Sequence, residues 1–185
     1  MEIYKKIDKI HLNLGCNIQK FEGGAGFPLS YSDRLSEEIN LLLNGCGFFD
    51  LKACWLISLK GEDAGNFLQG LVTSDVLKLK TGQIQSSWMC DNKGKILHHL
   101  KIFRNNEKEW IVICDPGEGK SVGTTLDKFH IRENLEMRLL NKEEMLRVDL
   151  IGPEAKKIIE KMGFSHKKFQ WNFQKSKIFS VQFNL

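Results

Sequence analysis

The stretch that most constrains this chain is residues 82–104, GQIQSSWMCDNKGKILHHLKIFR. Two strand-like runs, Gln83–Cys90 and Ile96–Phe103, flank Asp91-Asn92-Lys93-Gly94. Asp and Asn side chains hydrogen-bond backbone two residues on, and glycine takes a positive φ without a Cβ penalty. The spacing predicts a β-hairpin. A central hairpin argues for antiparallel pairing and against a doubly wound parallel sheet.

The rest of the chain mixes helices and strands without a βαβ repeat. Ser32–Leu43 reads as a helix: Leu35, Ile39, Leu42 and Leu43 recur at helical spacing, Ser32 or Asp33 can cap it, and Asn44-Gly45 stops it. Glu37 and Glu38 fall on its wet face. Gly47-Phe48-Phe49-Asp50 leads into a strand over 53–59. Glu62 and Asp63 suit the first turn of a helix reaching about Leu71, with Ala64, Phe67, Leu68 and Leu71 on one face. Thr73-Ser74-Asp75 can start a short second helical turn. Trp110–Cys114 is continuously apolar, as a buried strand is. A helix over 120–129 is expected next, then strands over 135–140 and 145–150. Pro153 opens a helix over 154–162 that Gly163 stops, and residues 178–183 alternate as a strand. Residues 1–30 carry no decisive pattern. Gly23-Gly24-Ala25-Gly26 reads as a loop, without the strand and helix of a phosphate cradle. The fold class is α+β, mostly antiparallel sheets with packed helices.

Composition narrows the function. Hydrophobic residues at 42% and charged residues at 27% are ordinary for a globular protein with a sizeable core. A net charge of +4, spread without a basic stripe, argues against nucleic acid as a partner. No apolar run approaches the roughly 18 residues of a membrane span. The first residues lack the apolar core of a signal peptide. The five cysteines, Cys16, Cys46, Cys54, Cys90 and Cys114, are odd in number and show neither a CxxC pair nor zinc spacing. They read as reduced, mostly buried thiols of a cytoplasmic protein, and no metal is expected.

Two clusters invite chemistry. CDPGEGKS at 114–121 follows a strand and precedes a helix, as a phosphate-binding loop does. However, the first glycine that the backbone needs to wrap a phosphate is Cys114. His98 and His99 are adjacent on a strand and therefore point to opposite faces, so they cannot share a metal. Ile96, His98, Leu100 and Ile102 form the more apolar face, which turns His98 toward a core or pocket. Local spacing assembles no nucleophile–His–carboxylate triad.

Residues 47–104 resemble a known family. GFFDLKACWLISLKGEDAGNFLQGLVTSDVLKL, followed by CDNKGKILHHLKIF, is similar to the folate-dependent T-protein (aminomethyltransferase) superfamily of the glycine cleavage system. KGEDAGNFLQGLVTSDV and CDNKGK look most like its YgfZ-type folate-binding members, which support iron–sulfur cluster maintenance. Pro28-Leu29-Ser30-Tyr31, Glu37-Glu38 and Gly47–Asp50 resemble the T-protein N-terminal segment. LIGPEA at 150–155 resembles the return of the chain into its first domain.

The resemblance implies a folate-binding scaffold with tetrahydrofolate as ligand. Residues 1–50 with 141–185 would form a first subdomain, incomplete relative to the family, and 51–140 a second one carrying the hairpin. The family's paired aspartates, one of them catalytically required, match His98 and His99. Its tyrosine before the turn matches Ser86, and the asparagine ending the third strand matches Cys114. These replacements argue against ordinary aminomethyl transfer. The family also continues past the 178–183 strand with a folate-contacting glutamate and a further domain. The YgfZ-type motif K-G-C-[YF]-x-G-Q-E occurs nowhere in these 185 residues. The expectation is an N-terminal piece of a longer protein, a divergent short paralogue or a degraded gene product. Three functions follow: a folate-binding protein without transferase chemistry, an aminomethyltransferase completed by another chain, or an interaction scaffold with a filled pocket. The edge left open at the last strand favours a homo-oligomer or a partner protein.

Overall fold

The structure is a computed structural model that describes residues 2–20, 26–31, 35–140, 147–161 and 178–182. In chain order its elements are α1 (Glu2–Asn13), β1 (Cys16–Lys20), β2 (Gly26–Tyr31), α2 (Leu35–Asn44), β3 (Gly47–Asp50), β4 (Leu56–Gly61), α3 (Ala64–Leu71), β5 (Ile84–Cys90), β6 (Ile96–Asn106), β7 (Glu109–Cys114), α4 (Gly119–Phe129), β8 (Leu135–Leu139), β9 (Arg147–Ile151), α5 (Ala155–Lys161) and β10 (Ile178–Gln182). The chain divides into two compact units, Met1–Ala53 with Lys142–Leu185, and Cys54–Asn141.

The Cys54–Asn141 unit is a five-stranded antiparallel sheet in the order β5-β6-β7-β4-β8. Side chains alternate across a strand, so every second residue faces one layer. Leu59, Leu100, Ile102, Val112 and Cys114 on one face pack with Phe67 and Leu68 of α3 and with Val122 and Leu126 of α4. All but Phe67 are fully buried. Truncating such a leucine to alanine costs roughly 2–5 kcal/mol, because the cavity left behind only partly collapses.

The hairpin forms where its turn residues direct. The Asp91 carboxylate accepts from the backbone N–H of Lys93 and of Lys95, both at 2.9 Å. Gly94 takes φ 80°, which a side chain would strain. Thr73–Asp75 departs from expectation. It is not helical, because it runs beside β5 instead: the Thr73 N–H donates to the Trp88 carbonyl at 2.9 Å and the Ser74 N–H to the Ser87 hydroxyl at 3.0 Å.

In the other unit, β1 and β2 pair antiparallel, and a separate sheet has the order β10-β9-β3. Gly47–Asp50 is thus a strand in its own right, and the next strand begins at Leu56. Residues 2–13, which show no clear pattern, form α1. The expected caps Ser32 and Asp33, most of the glycine loop at 21–25 and the stop at Gly163 lie outside the described residues.

α1 carries His11 to a buried polar cluster. His11 Nε2 lies 3.0 Å from an Asp50 carboxylate oxygen, and Nδ1 meets the Tyr31 hydroxyl. The Lys52 ammonium contacts the same Asp50 oxygen and sits 2.6 Å from Asp8. His11, Asp50 and Lys52 are all buried. Burial, then the Cys16 thiol, push the Tyr31 hydroxyl up to about 12. Each buried charge here faces an opposite one, as desolvation demands.

α2 is helical as its leucine spacing predicts, and Glu37 is exposed. Leu35, Ile39, Leu41 and Leu43 of its apolar face are exposed, and no residue of the helix is buried. Leu35, Ile39, Leu41 and Phe48 line an open cavity of about 410 Å³.

Candidate functional site on the hairpin

The antiparallel register brings separated residues together on one face of β6. Trp88 is opposite His99 and Ser86 opposite Lys101, so Ser86 and His99 are diagonal neighbours. Leu100 pairs with Cys114 at the end of β7, so the next residue, Asp115, falls beside His99. The Ser86 hydroxyl lies 3.2 Å from His99 Nε2, and His99 Nδ1 lies 3.1 Å from an Asp115 carboxylate oxygen. The Trp88 indole, 44% exposed, stacks at a tilt on the imidazole with centroids 4.5 Å apart. The His99 side chain is 31% exposed and that of Asp115 44%. The group is therefore open to solvent and to a ligand.

His98 points to the other face. It is 7% exposed, against α4. Its Nε2 lies 3.2 Å from the Thr125 hydroxyl and its Nδ1 3.3 Å from Glu118. The Thr125 hydroxyl donates to the Ser121 carbonyl at 2.9 Å, the usual back-bond of a helical threonine. Toward His98 that oxygen can only accept.

Of the four residues singled out from sequence, the structure unites Ser86 and His99, turns His98 away from them, and buries Cys114 completely in the core. Burial, then the neighbouring Cys54 thiol and Asp115, push the Cys114 thiol far up, so it stays protonated. A thiol so placed contributes to packing. The residues that sequence spacing missed are Asp115, Glu118 and Thr125. The signal for Asp115 was the hairpin itself, whose register extends to a third strand.

The 114–121 loop has a packing reason for its glycine. A Cβ on Gly119 would stand 2.0 Å from Trp55. The glycine makes room for an indole rather than for a phosphate. Among the described residues no group of three or more His, Cys, Asp and Glu is placed to hold a metal, and no helix is long and apolar enough to cross a membrane. All five cysteines are thiols outside any disulfide.

An antiparallel α+β unit with a polar hairpin face is the class that fold and site define. The GCVT N-terminal domain family matches residues 7–182, and the chain belongs to that family. An aminomethyltransferase of Thermoanaerobacter sp. (strain X514) is 27% identical over 165 residues, covering 87% of this chain and 41% of the relative. An aminomethyltransferase of Halothermothrix orenii is 29% identical over 158 residues, 84% of this chain and 42% of the relative. The crystal structure of glycine cleavage system aminomethyltransferase T from Bartonella henselae superposes with a TM-score of 0.82 at 20% identity, over 96% of this chain and 52% of that one. The chain thus spans about two fifths of the length of these curated relatives.

Proposed function

We propose that the chain is a tetrahydrofolate-binding member of the T-protein family that does not perform ordinary aminomethyl transfer. Family membership supports the ligand class. The chemistry of the hairpin face fits it: the exposed Trp88 indole offers a flat apolar surface to a fused heteroaromatic ring, and the Ser86 hydroxyl and His99 imidazole can donate and accept along that ring's polar edge. His98 serves from the opposite face by tying the strand to α4, and Cys114 serves by packing.

One observation carries the loss of transferase chemistry. By the resemblance, His98 and His99 stand where the family has its paired aspartates. An imidazole carries no negative charge in either protonation state and so offers none to the substrate nitrogen. The cellular role is one-carbon metabolism or, as in YgfZ-type proteins, iron–sulfur cluster maintenance in the cytoplasm.

The test is calorimetric titration with 5,6,7,8-tetrahydrofolate under anaerobic conditions. Saturable binding is expected, weakened about tenfold, the equivalent of 1.4 kcal/mol, by His99→Ala. No heat at millimolar ligand would overturn the folate reading.

A second reading is an aminomethyltransferase site completed by another polypeptide. It is favoured by the exposed leucines of α2 and the exposed Phe48, since an apolar face of this kind marks an interaction surface. A strictly monomeric protein without exchange activity would exclude it.

A further inference from the structure

We infer that Ser86, His99 and Asp115 form a nucleophilic triad able to cleave activated carboxylic esters, an activity argued from geometry alone on the hairpin face that also carries the proposed folate contacts. Nucleophile, base and orienting acid stand in hydrogen-bonding sequence: Ser86 Oγ to His99 Nε2 at 3.2 Å, and His99 Nδ1 to Asp115 at 3.1 Å. Asp115 accepts the Nδ1–H and so fixes the tautomer whose Nε2 lone pair faces the serine hydroxyl. The Ser86 proton is thus directed at a base. On the other face of the same strand, Thr125 has the matching hydroxyl–imidazole–carboxylate neighbours, but its proton is committed to the Ser121 carbonyl. The two groups are alike in composition and differ in what the hydroxyl proton can do.

The reaction balances with water as the only co-reactant. Ser86 Oγ bonds to the acyl carbon as His99 Nε2 takes the hydroxyl proton. The acyl carbon–alkoxy oxygen bond breaks, and the imidazolium returns that proton to the leaving alkoxide. Water, deprotonated by His99, then attacks the acyl-serine, releasing the carboxylic acid and restoring Ser86. The half-exposed Trp88 ring beside the imidazole makes aryl esters the preferred class.

The purified chain should be incubated with a fluorophosphonate and separately with p-nitrophenyl acetate, and followed by intact-mass and peptide-mapping mass spectrometry. A single adduct on Ser86 and a burst of p-nitrophenol are expected. Ser86→Ala removes both. His99→Gln slows them roughly 100-fold or more, the usual contribution of a positioned base, and Asp115→Asn slows them less. The wild-type map needs no variant to fold. Adducts spread over several serines, no adduct on Ser86, or an unchanged rate in His99→Gln would each overturn the triad. Tetrahydrofolate titration of the same sample is a separate readout, so failure of either assay leaves the other interpretable.

Discussion

The two faces of β6 hold adjacent histidines in the same company, a hydroxyl on one ring nitrogen and a carboxylate on the other. His98 is sealed under α4 with a threonine whose proton is already spent. His99 is half-open, with a serine hydroxyl 3.2 Å from its Nε2 that the proposed triad directs at the imidazole. The difference teaches that residue composition does not separate a buried structural histidine from one that is open to solvent. Burial and the commitment of one proton do.

The comparison can be broken from the helix side. Gly119→Ala would drive a Cβ into Trp55 at the start of α4, beside Glu118. Overpacking of this kind costs about 1–3 kcal/mol. Thermal unfolding should show a lowered Tm for this variant, and an unchanged Tm would mean that α4 can shift freely against β4–β7.

His98→Ala should cost about 1–3 kcal/mol, since it removes a buried imidazole that bonds to Thr125 and Glu118. Urea unfolding measures it. A value near zero would mean that the buried face does not need its imidazole.

The open face has its own stability signature. Glu109 shares it and accepts from Ser58 at 2.7 Å, Asn105 at 2.6 Å and Asn106 at 3.1 Å. Burial pushes Glu109 up, but the bonds from Ser58 and Asn105, the Lys60 charge and the Asn106 bond outweigh it and hold it below its ordinary 4.5. A depressed folded value means a contribution that is complete above 4.5 and lost as pH falls through the lower folded value. The fall in stability from about pH 6 to about pH 3 should be steeper in wild type than in Glu109→Gln. Parallel curves would remove this role.

The smallest stability effect is expected where the functional effect is largest. His99→Ala should change stability by no more than about 0.5 kcal/mol, as partly exposed positions do. The same variant should weaken tetrahydrofolate binding. If it unfolds the protein as His98→Ala does, the distinction between the two faces fails.

Much of the fold is legible in the residues. Asp91 and Gly94 announce the turn, the run Trp110–Cys114 announces a buried strand, and Ala64, Phe67 and Leu68 announce a core helix that is found in place. α1 is not legible, because the face that matters there is set by His11 meeting Asp50, 39 residues away. The Thr73–Asp75 segment misleads for the same reason: the Thr73 and Ser74 hydroxyls accept from Trp88 and Gln85 of β5 instead of starting a helix.

The candidate site divides along the same line. By itself the sequence determined that His98 and His99 face opposite ways, because the period of a strand is two, and that the 82–104 stretch is a hairpin. Only the tertiary structure decided which histidine is buried and which carboxylate and hydroxyl each would meet. Those partners lie 13 to 27 residues away and arrive through strand register and helix docking. Such contacts leave no local pattern, because the free energy that selects them belongs to the packing of whole elements rather than to any neighbouring residue.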